Sequence, residues 1–319
     1  MSKTVWHEPV LAAEVVELLR PRAGGRYVDA TVGDGGHAEK ILEASAPGGR
    51  LLACDRDPEA LERAASRLAG FGDRVELAQA TFDDLPHLLA ERGWRDGADG
   101  ILLDLGVSSR QLDEARRGFS FSADGPLDMR MNPAEGASAA DLLRELSERE
   151  LAELLRRYGE ERAARRIARE ICRARRQAPI TRTRELREAV VRAGVRGRPG
   201  HDPATRTFQA LRIAVNDELG QLERFLARGW SLLRPGGRLA ILSYHSLEDR
   251  LVKRAFAEWA ADCVCPPEQP VCTCSKRAEV RLVTRRKRKP SPAEVERNPR
   301  ARSAGLRVVE RLGAQESAA

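Results

Sequence analysis

The run Asp29-Ala30-Thr31-Val32-Gly33-Asp34-Gly35-Gly36-His37 is a glycine-rich turn between an apolar stretch and the start of a helical one. Small residues there let the backbone approach a ligand, and a helix N-terminus offers N–H groups that the helix itself leaves unpaired. Asp55 ends the next apolar run about 20 residues further on, where a carboxylate can accept both hydroxyls of a ribose. Together these residues indicate a nucleoside-containing cofactor. Gly33-x-Gly35-x-x-Ala38 also satisfies the dinucleotide fingerprint, so an NAD-dependent oxidoreductase stays open on these residues alone.

Asp104 ends a further apolar run and opens Asp104-Leu105-Gly106-Val107-Ser108-Ser109. A carboxylate among small residues at the carboxyl edge of a sheet stands beside the cofactor crevice, where a substrate would sit. Among the six cysteines, Cys263-x-Cys265 and Cys272-x-Cys274 place four thiols within twelve residues, a set that can geometrically close a tetrahedral Zn site. Zinc pairs usually have two intervening residues, not one, so no metal is assigned and free thiols are expected.

To bring these groups together the chain must form a parallel sheet wrapped by helices, and its first third has that rhythm. Strands are expected at Arg26 to Thr31, Arg50 to Cys54, Val75 to Ala78 and Gly100 to Asp104, with helices at His37 to Ala44 and Pro58 to Leu68. The second helix opens after Asp57 with Pro58 in its first turn. From Leu112 to Thr205 no strand-like run occurs, and Leu142, Leu143, Leu146, Leu151, Leu154 and Leu155 recur at helical spacing. Residues 112–206 therefore read as an all-helical insert, a putative substrate-recognition domain, with the Gly/Pro-rich stretch Gly194 to Pro203 at its far edge. The sheet domain is expected to comprise 1–111 and 207–319. Its second part has a helix across Phe208 to Leu233, the turn Pro235-Gly236-Gly237, a strand Arg238 to Ser243, and a strand Val280 to Thr284. The basic run Arg285 to Lys289 and a partly extended end follow.

No stretch of the 319 residues approaches the roughly 18 apolar residues of a membrane-spanning helix. Met1 to Pro9 lacks an apolar run with a cleavage site, so a cytoplasmic location with reduced thiols is expected. The net charge of +7 conceals an asymmetry: 12 basic and 4 acidic residues fall in 156–187, and 13 and 4 in 276–311, leaving the remainder acidic. Basic segments on an acidic body suit a polyanion, although solvated arginine-rich faces have the same composition.

The motifs His7-Glu8-Pro9-Val10-Leu11, Gly35-Gly36-His37, Asp104 to Ser109 with Gln111-Leu112-Asp113, and Gly118-Phe119-Ser120-Phe121 stand in this order along the chain. Pro126 to Met131, Tyr158 to Glu161, Thr207 to Arg212, His245 to Arg250 and Asn298 to Ser303 continue the series. Essentially end to end, the sequence resembles the MraW/RsmH methyltransferases, which modify a cytosine N4 in 16S ribosomal RNA. The resemblance implies a class I S-adenosylmethionine methyltransferase, an α/β Rossmann-like fold with the helical insert. By the same resemblance Gly35, Gly36 and His37 cradle the methionine and ribose portion of S-adenosyl-L-methionine and Asp55 binds the ribose. Phe82 would lie against the adenine, with Asp104 and Gln111 completing the pocket. The implied partner is ribosomal RNA or the small ribosomal subunit, and a homodimer is one admissible assembly.

An exocyclic cytosine amine is a weak nucleophile because its lone pair is delocalised into the ring. An enzyme must align it with the sulfonium methyl and accept a hydrogen bond from its N–H, a role for which Asp104 is the candidate. Methylation at cytosine C5 would need a nucleophilic cysteine, and neither the Asp104 loop nor the loop after Ser243 has one. Asp104-Leu105-Gly106-Val107 departs from the DNA amino-methyltransferase pattern of an acid or amide before two prolines and an aromatic. The aromatic that sandwiches the base is therefore expected from Tyr244 or His245, and His245 joins Asp104 as a catalytic candidate. Beside the oxidoreductase, the remaining alternative is a non-catalytic RNA-binding ribosome assembly factor with a degenerate nucleotide pocket.

Overall fold

The computed structural model describes residues 8–195, 202–266, 269 and 271–313. The chain divides into two compact units, one comprising the residues up to Gly106 and from Gly220 onward, the other Val107–Leu219.

The first unit contains strands β1 (Arg26–Asp29), β2 (Arg50–Asp55), β3 (Val75–Gln79), β4 (Ala98–Asp104), β5 (Leu233–Ser243), β6 (Val280–Leu282) and β7 (Gly305–Arg311). They form one sheet in the order β3-β2-β1-β4-β5-β7-β6, with β1 to β5 parallel and β7 antiparallel to both its neighbours. This is the class I methyltransferase arrangement of the Rossmann-like sheet. The order reverses between β1 and β4, which opens a crevice at their carboxyl ends.

Both faces of the sheet are apolar, as a parallel sheet covered on both sides requires. Along β4, Ile101 and Leu103 join Val28, Leu52 and Ile241 against Phe225, Phe256 and Trp259. The intervening Leu102 joins Tyr27, Ala53 and Leu242 against Leu11, Val15 and Ile41. This alternation places every other side chain on the opposite layer.

The helix Pro58–Leu68 has the expected bounds because its start is local: Asp57 accepts the Glu59 N–H at 3.1 Å and proline occupies the first turn. Other expectations differ. The helix expected across Phe208 to Leu233 is broken into Thr205–Asn216 and Glu218–Leu226, because Asp217 adopts a left-handed φ of 47°. Strand β5 starts at Leu233, paired with Ala98; the Pro235–Gly237 turn then interrupts the register until Arg238 pairs with Gly100. The partly extended end contains a full strand, β7, inserted between β5 and β6 with Ser243 opposite Gly305.

The second unit is helical, with helices Ala139–Glu145, Glu148–Gly159, Ala164–Gln177, Thr183–Arg192 and Thr205–Asn216. Ser138 and Ser147 cap the first two of these, each with a reciprocal acid three residues on, Asp141 and Glu150. Those caps divide the leucine periodicity into separate helices around a core that includes Leu143, Leu151, Leu155, Ile167 and Ile171. The unit extends beyond the expected 112–206 because Thr205–Asn216 packs its Phe208 and Leu211 into this core. Asn216 also bonds the irregular stretch before the helices, accepting from Met131 N–H at 2.8 Å and donating to Met129 C=O at 2.7 Å.

Candidate active site

The carboxyl ends of β1, β2 and β4 each finish in an aspartate: Asp29, Asp55 and Asp104. The glycine turn after β1 wraps over this edge. Gly33 and Gly35 take φ values of 52° and 80°, a region that side chains with a Cβ seldom enter. Arg63 donates to Asp34 at 2.7 Å, tying the turn to the helix Pro58–Leu68. Gly36 and His37 open the helix Gly36–Ala44.

Asp55 organises this turn. One of its oxygens accepts the Gly33 N–H at 2.9 Å and the other accepts the Asp57 N–H at 2.9 Å. A carboxylate has about four lone-pair sites, so both oxygens keep acceptor capacity for ribose hydroxyls. Burial pushes the Asp55 carboxyl up to about 6 in spite of the two N–H donors.

Asp29 is a site residue that only the structure makes conspicuous. It is 1% exposed; one oxygen accepts the Thr31 N–H at 3.2 Å while Oδ2 has no hydrogen-bond partner. Burial pushes its carboxyl up to about 7, with the His37 ring opposing that shift and Asp104 and Asp55 adding to it. His37 is itself buried, and neither ring nitrogen has a hydrogen-bond partner. Buried polar groups are almost always satisfied, so Asp29 Oδ2 and both His37 nitrogens mark a place built to receive polar atoms.

Asp104 is held from three directions. Its N–H donates to Thr31 Oγ1 at 2.6 Å, its Oδ1 accepts the Tyr244 hydroxyl at 2.8 Å, and its Oδ2 stands 3.6 Å from His37 Nε2. Tyr244 directly follows β5, and burial together with the Asp104 charge raises its phenol well above the ordinary value. The phenol therefore stays protonated and donates.

His245 has a structural task beside the catalytic one expected of it. It is the N-cap of the helix Ser246–Trp259: its Nδ1 accepts the Glu248 N–H at 3.4 Å and its Nε2 lies 3.1 Å from Glu248 Oε1. Glu248 in turn accepts the N–H groups of Tyr244 and His245 at 2.8 and 3.2 Å. His245 Nε2, though close to Glu248, is buried without a hydrogen-bond partner, and the residue that bonds Asp104 is Tyr244. The Tyr244 hydroxyl is the signal that the sequence carries for this contact.

Phe82 lies just after β3 in the short helix Phe82–Asp84, only partly buried and edge-on to Phe225 with ring centres 5.9 Å apart. Gln111 belongs to the helical unit, where its side-chain oxygen accepts the Ser108 N–H at 3.0 Å and its N–H donates to Ser108 Oγ at 3.2 Å. Cys54 is fully buried in β2 and its thiol is pushed up to about 12, and Cys172 is buried in the helix Ala164–Gln177. Neither is available as a nucleophile.

The helical unit has its own electrostatic feature. A cleft of about 1500 Å³ is lined by Arg149, Arg156, Arg162, Arg165, Arg166 and Arg169, with fewer carboxylates among them. These arginines fall in or beside the basic segment 156–187.

Residues 4–312 match the model of the MraW methylase family. The ribosomal RNA small subunit methyltransferase H of Symbiobacterium thermophilum is 53% identical over 315 residues, covering 98% of each chain. The protein of the same name from Geobacter sulfurreducens is 54% identical over 311 residues, covering 97% of this chain and all of its own. Among solved structures, that of a putative rRNA-methylase from Clostridium thermocellum aligns over 97% of this chain and 100% of that one, with a TM-score of 0.44 and 11% identity.

Proposed function

The chain belongs to the MraW methylase family, and from that premise we propose that it is a cytoplasmic, S-adenosylmethionine-dependent methyltransferase acting on the N4 amino group of a cytosine in small-subunit 16S ribosomal RNA. The observation that carries the reading is the full-length match, at 53% identity, to proteins named for small-subunit ribosomal RNA methylation. Neither an oxidoreductase nor a non-catalytic assembly factor is supported by those relatives. No helix among the described residues is long and apolar enough to cross a membrane.

The residues at the sheet edge fit the cofactor. Three carboxylates, Asp29, Asp55 and Asp104, suit a cationic sulfonium, and the unpaired atoms of Asp29 and His37 would offer hydrogen bonds to the cofactor's polar groups. Gly35, Gly36 and His37 would hold its methionine and ribose portion, Asp55 the ribose hydroxyls and Phe82 the adenine. The bound cofactor supplies an electrophilic methyl group on sulfur.

Asp104 orients the acceptor. Its carboxylate would accept a hydrogen bond from the cytosine N4–H and so fix the orientation of the amine. Asp104 would accept the proton that the amine gives up on methylation. Tyr244 fixes the carboxylate through its Oδ1, so the base meets a preset acceptor. With both Cys54 and Cys172 buried, amino methylation is the chemistry these residues support over attack at C5. The arginine-lined cleft of the helical unit is assigned to RNA phosphates, which contribute affinity with little sequence information.

A calorimetric titration of the purified chain tests the reading. S-adenosylmethionine and its demethylated product should bind and NAD should not. Binding of NAD alone would restore the oxidoreductase, and binding of none would favour the assembly factor.

A further inference from the structure

The connection between the helix Ser246–Trp259 and β6 contains four cysteines that play no part in the methyl-transfer site. The Sγ atoms of Cys263, Cys265, Cys272 and Cys274 all lie within 4.8 Å of one another. Four of the separations are 3.5 Å (Cys263 to Cys272), 3.6 Å (Cys272 to Cys274), 3.7 Å (Cys274 to Cys263) and 4.0 Å (Cys265 to Cys272). A tetrahedron of thiolates each about 2.3 Å from a central Zn²⁺ has edges of about 3.8 Å. The sulfurs thus already stand near the vertices of such a site, and all four are free thiols.

The geometry points to a single structural Zn²⁺ held by Cys263, Cys265, Cys272 and Cys274. The one-residue spacing, which argued against zinc in the sequence, suits this backbone. Each Cys-x-Cys arm brings both of its thiols to the opposing arm, with Val264 and Thr273 exposed between them. The Cys265 N–H points at Cys263 Sγ at 3.3 Å and the Val264 N–H at Cys274 Sγ at 3.5 Å. N–H donors of this kind favour thiolate over thiol.

The loop also needs a clasp. Its base is fixed by the Glu279 N–H to Trp259 C=O bond at 2.8 Å and the Ala278 N–H to Asp262 bond at 3.3 Å. Among its described residues, Val264 and Val271 are 62% and 69% exposed, not packed into a core. A segment that cannot bury side chains is commonly held by a metal or a cross-link. Zinc binding here converts four approximate sulfur positions into one rigid knuckle at the sheet edge, with release of the thiol protons.

The test is elemental analysis of the full untagged chain purified under reducing conditions, alongside Cys263→Ser/Cys272→Ser and Cys265→Ser/Cys274→Ser variants. The wild type should hold about one Zn²⁺ per chain and each double variant less than about a tenth of that. S-adenosylmethionine binding should be retained in the variants, which reports that they fold. Replacement by Co²⁺ in the wild type should give sulfur-to-cobalt charge-transfer absorption typical of tetrahedral thiolate ligation, an observation independent of the variants. The proposal is overturned if wild-type protein supplied with Zn²⁺ retains none and all four thiols react at once with a thiol reagent. Iron in place of zinc, or disulfides within the loop, would overturn it equally.

Discussion

The Tyr244 hydroxyl donates to Asp104 Oδ1 at 2.8 Å, joining the end of β4 to the first residue after β5, 140 positions away in the sequence. Asp104 is thereby fixed by a donor that cannot serve as a base itself, because its phenol is raised well above the ordinary value. Replacing Tyr244 by Phe removes the donor and keeps the ring. Turnover should fall by about tenfold to a hundredfold, the scale of one hydrogen bond to a charged group, while S-adenosylmethionine affinity stays within about threefold. Single-turnover methylation beside a cofactor titration separates the two; an equal loss in both would make Tyr244 a cofactor residue.

The carboxyls of Asp29 and Asp55, raised to about 7 and about 6, make ligand-free stability pH-dependent. A carboxyl raised in the folded state binds protons more tightly there than in the unfolded chain. Its stabilising contribution is therefore complete below the ordinary value of 3.8 and is lost as pH rises through 6 to 7. The thermal midpoint of the wild type relative to Asp29→Asn should thus decline as pH rises from about 5 to about 7.5. A cationic ligand favours the ionised carboxylates, so S-adenosylmethionine affinity should rise over the same interval. A flat difference curve would remove Asp29 from this account.

Asp55 ties two backbone segments and offers ribose acceptors from the same oxygens. Asp55→Ala should weaken S-adenosylmethionine binding by about 2–4 kcal/mol, the cost of losing charge-assisted hydrogen bonds to a buried ligand. The far-ultraviolet circular dichroism should keep its native shape. Affinity within a factor of about three of wild type would refute the ribose role.

The arginines of the helical unit are not equivalent. Arg173 pairs with Glu170 at 2.8 Å and Arg169 stands 3.6 Å from Glu148, whereas Arg165 and Arg166 are exposed with no ion pair among the described residues. In the tail run, Lys287 pairs with Asp249 at 3.3 Å while Arg285, Arg286 and Lys289 are exposed. Charge reversal of Arg165 and Arg166 should weaken RNA binding and flatten its log–log salt slope by about 1.5, as expected for two lost phosphate contacts. Reversal of Arg285, Arg286 and Lys289 should act in the same direction, and neither variant should alter cofactor affinity. Wild-type slopes in both would show these to be solvated faces.

The parts legible in the sequence are those decided locally. The helix Pro58–Leu68 carries its own cap and proline, and β1, β2 and β4 are apolar runs ending in aspartate. Asp55 and Asp104 could be picked out because they end such runs. β7 escaped because its place depends on a partner about 60 residues away and its Arg307 and Glu310 obscure the alternation of Leu306, Val308 and Val309. Asp29 is not legible because an unpaired buried oxygen is a property of packing, and the capping role of His245 is not legible because only the fold shows Glu248 facing it.

The central claim is methyl transfer to a cytosine N4, and it is tested most directly by incubating the purified chain with unmodified small ribosomal subunits and S-adenosylmethionine carrying a trideuterated methyl group. After digestion of the ribosomal RNA to nucleosides, mass spectrometry should find the label in N4-methylcytidine, and Asp104→Ala should reduce it by more than about a hundredfold. Label in 5-methylcytidine, in a ribose 2′-O-methyl group, or in no nucleoside of the small-subunit RNA would contradict the account.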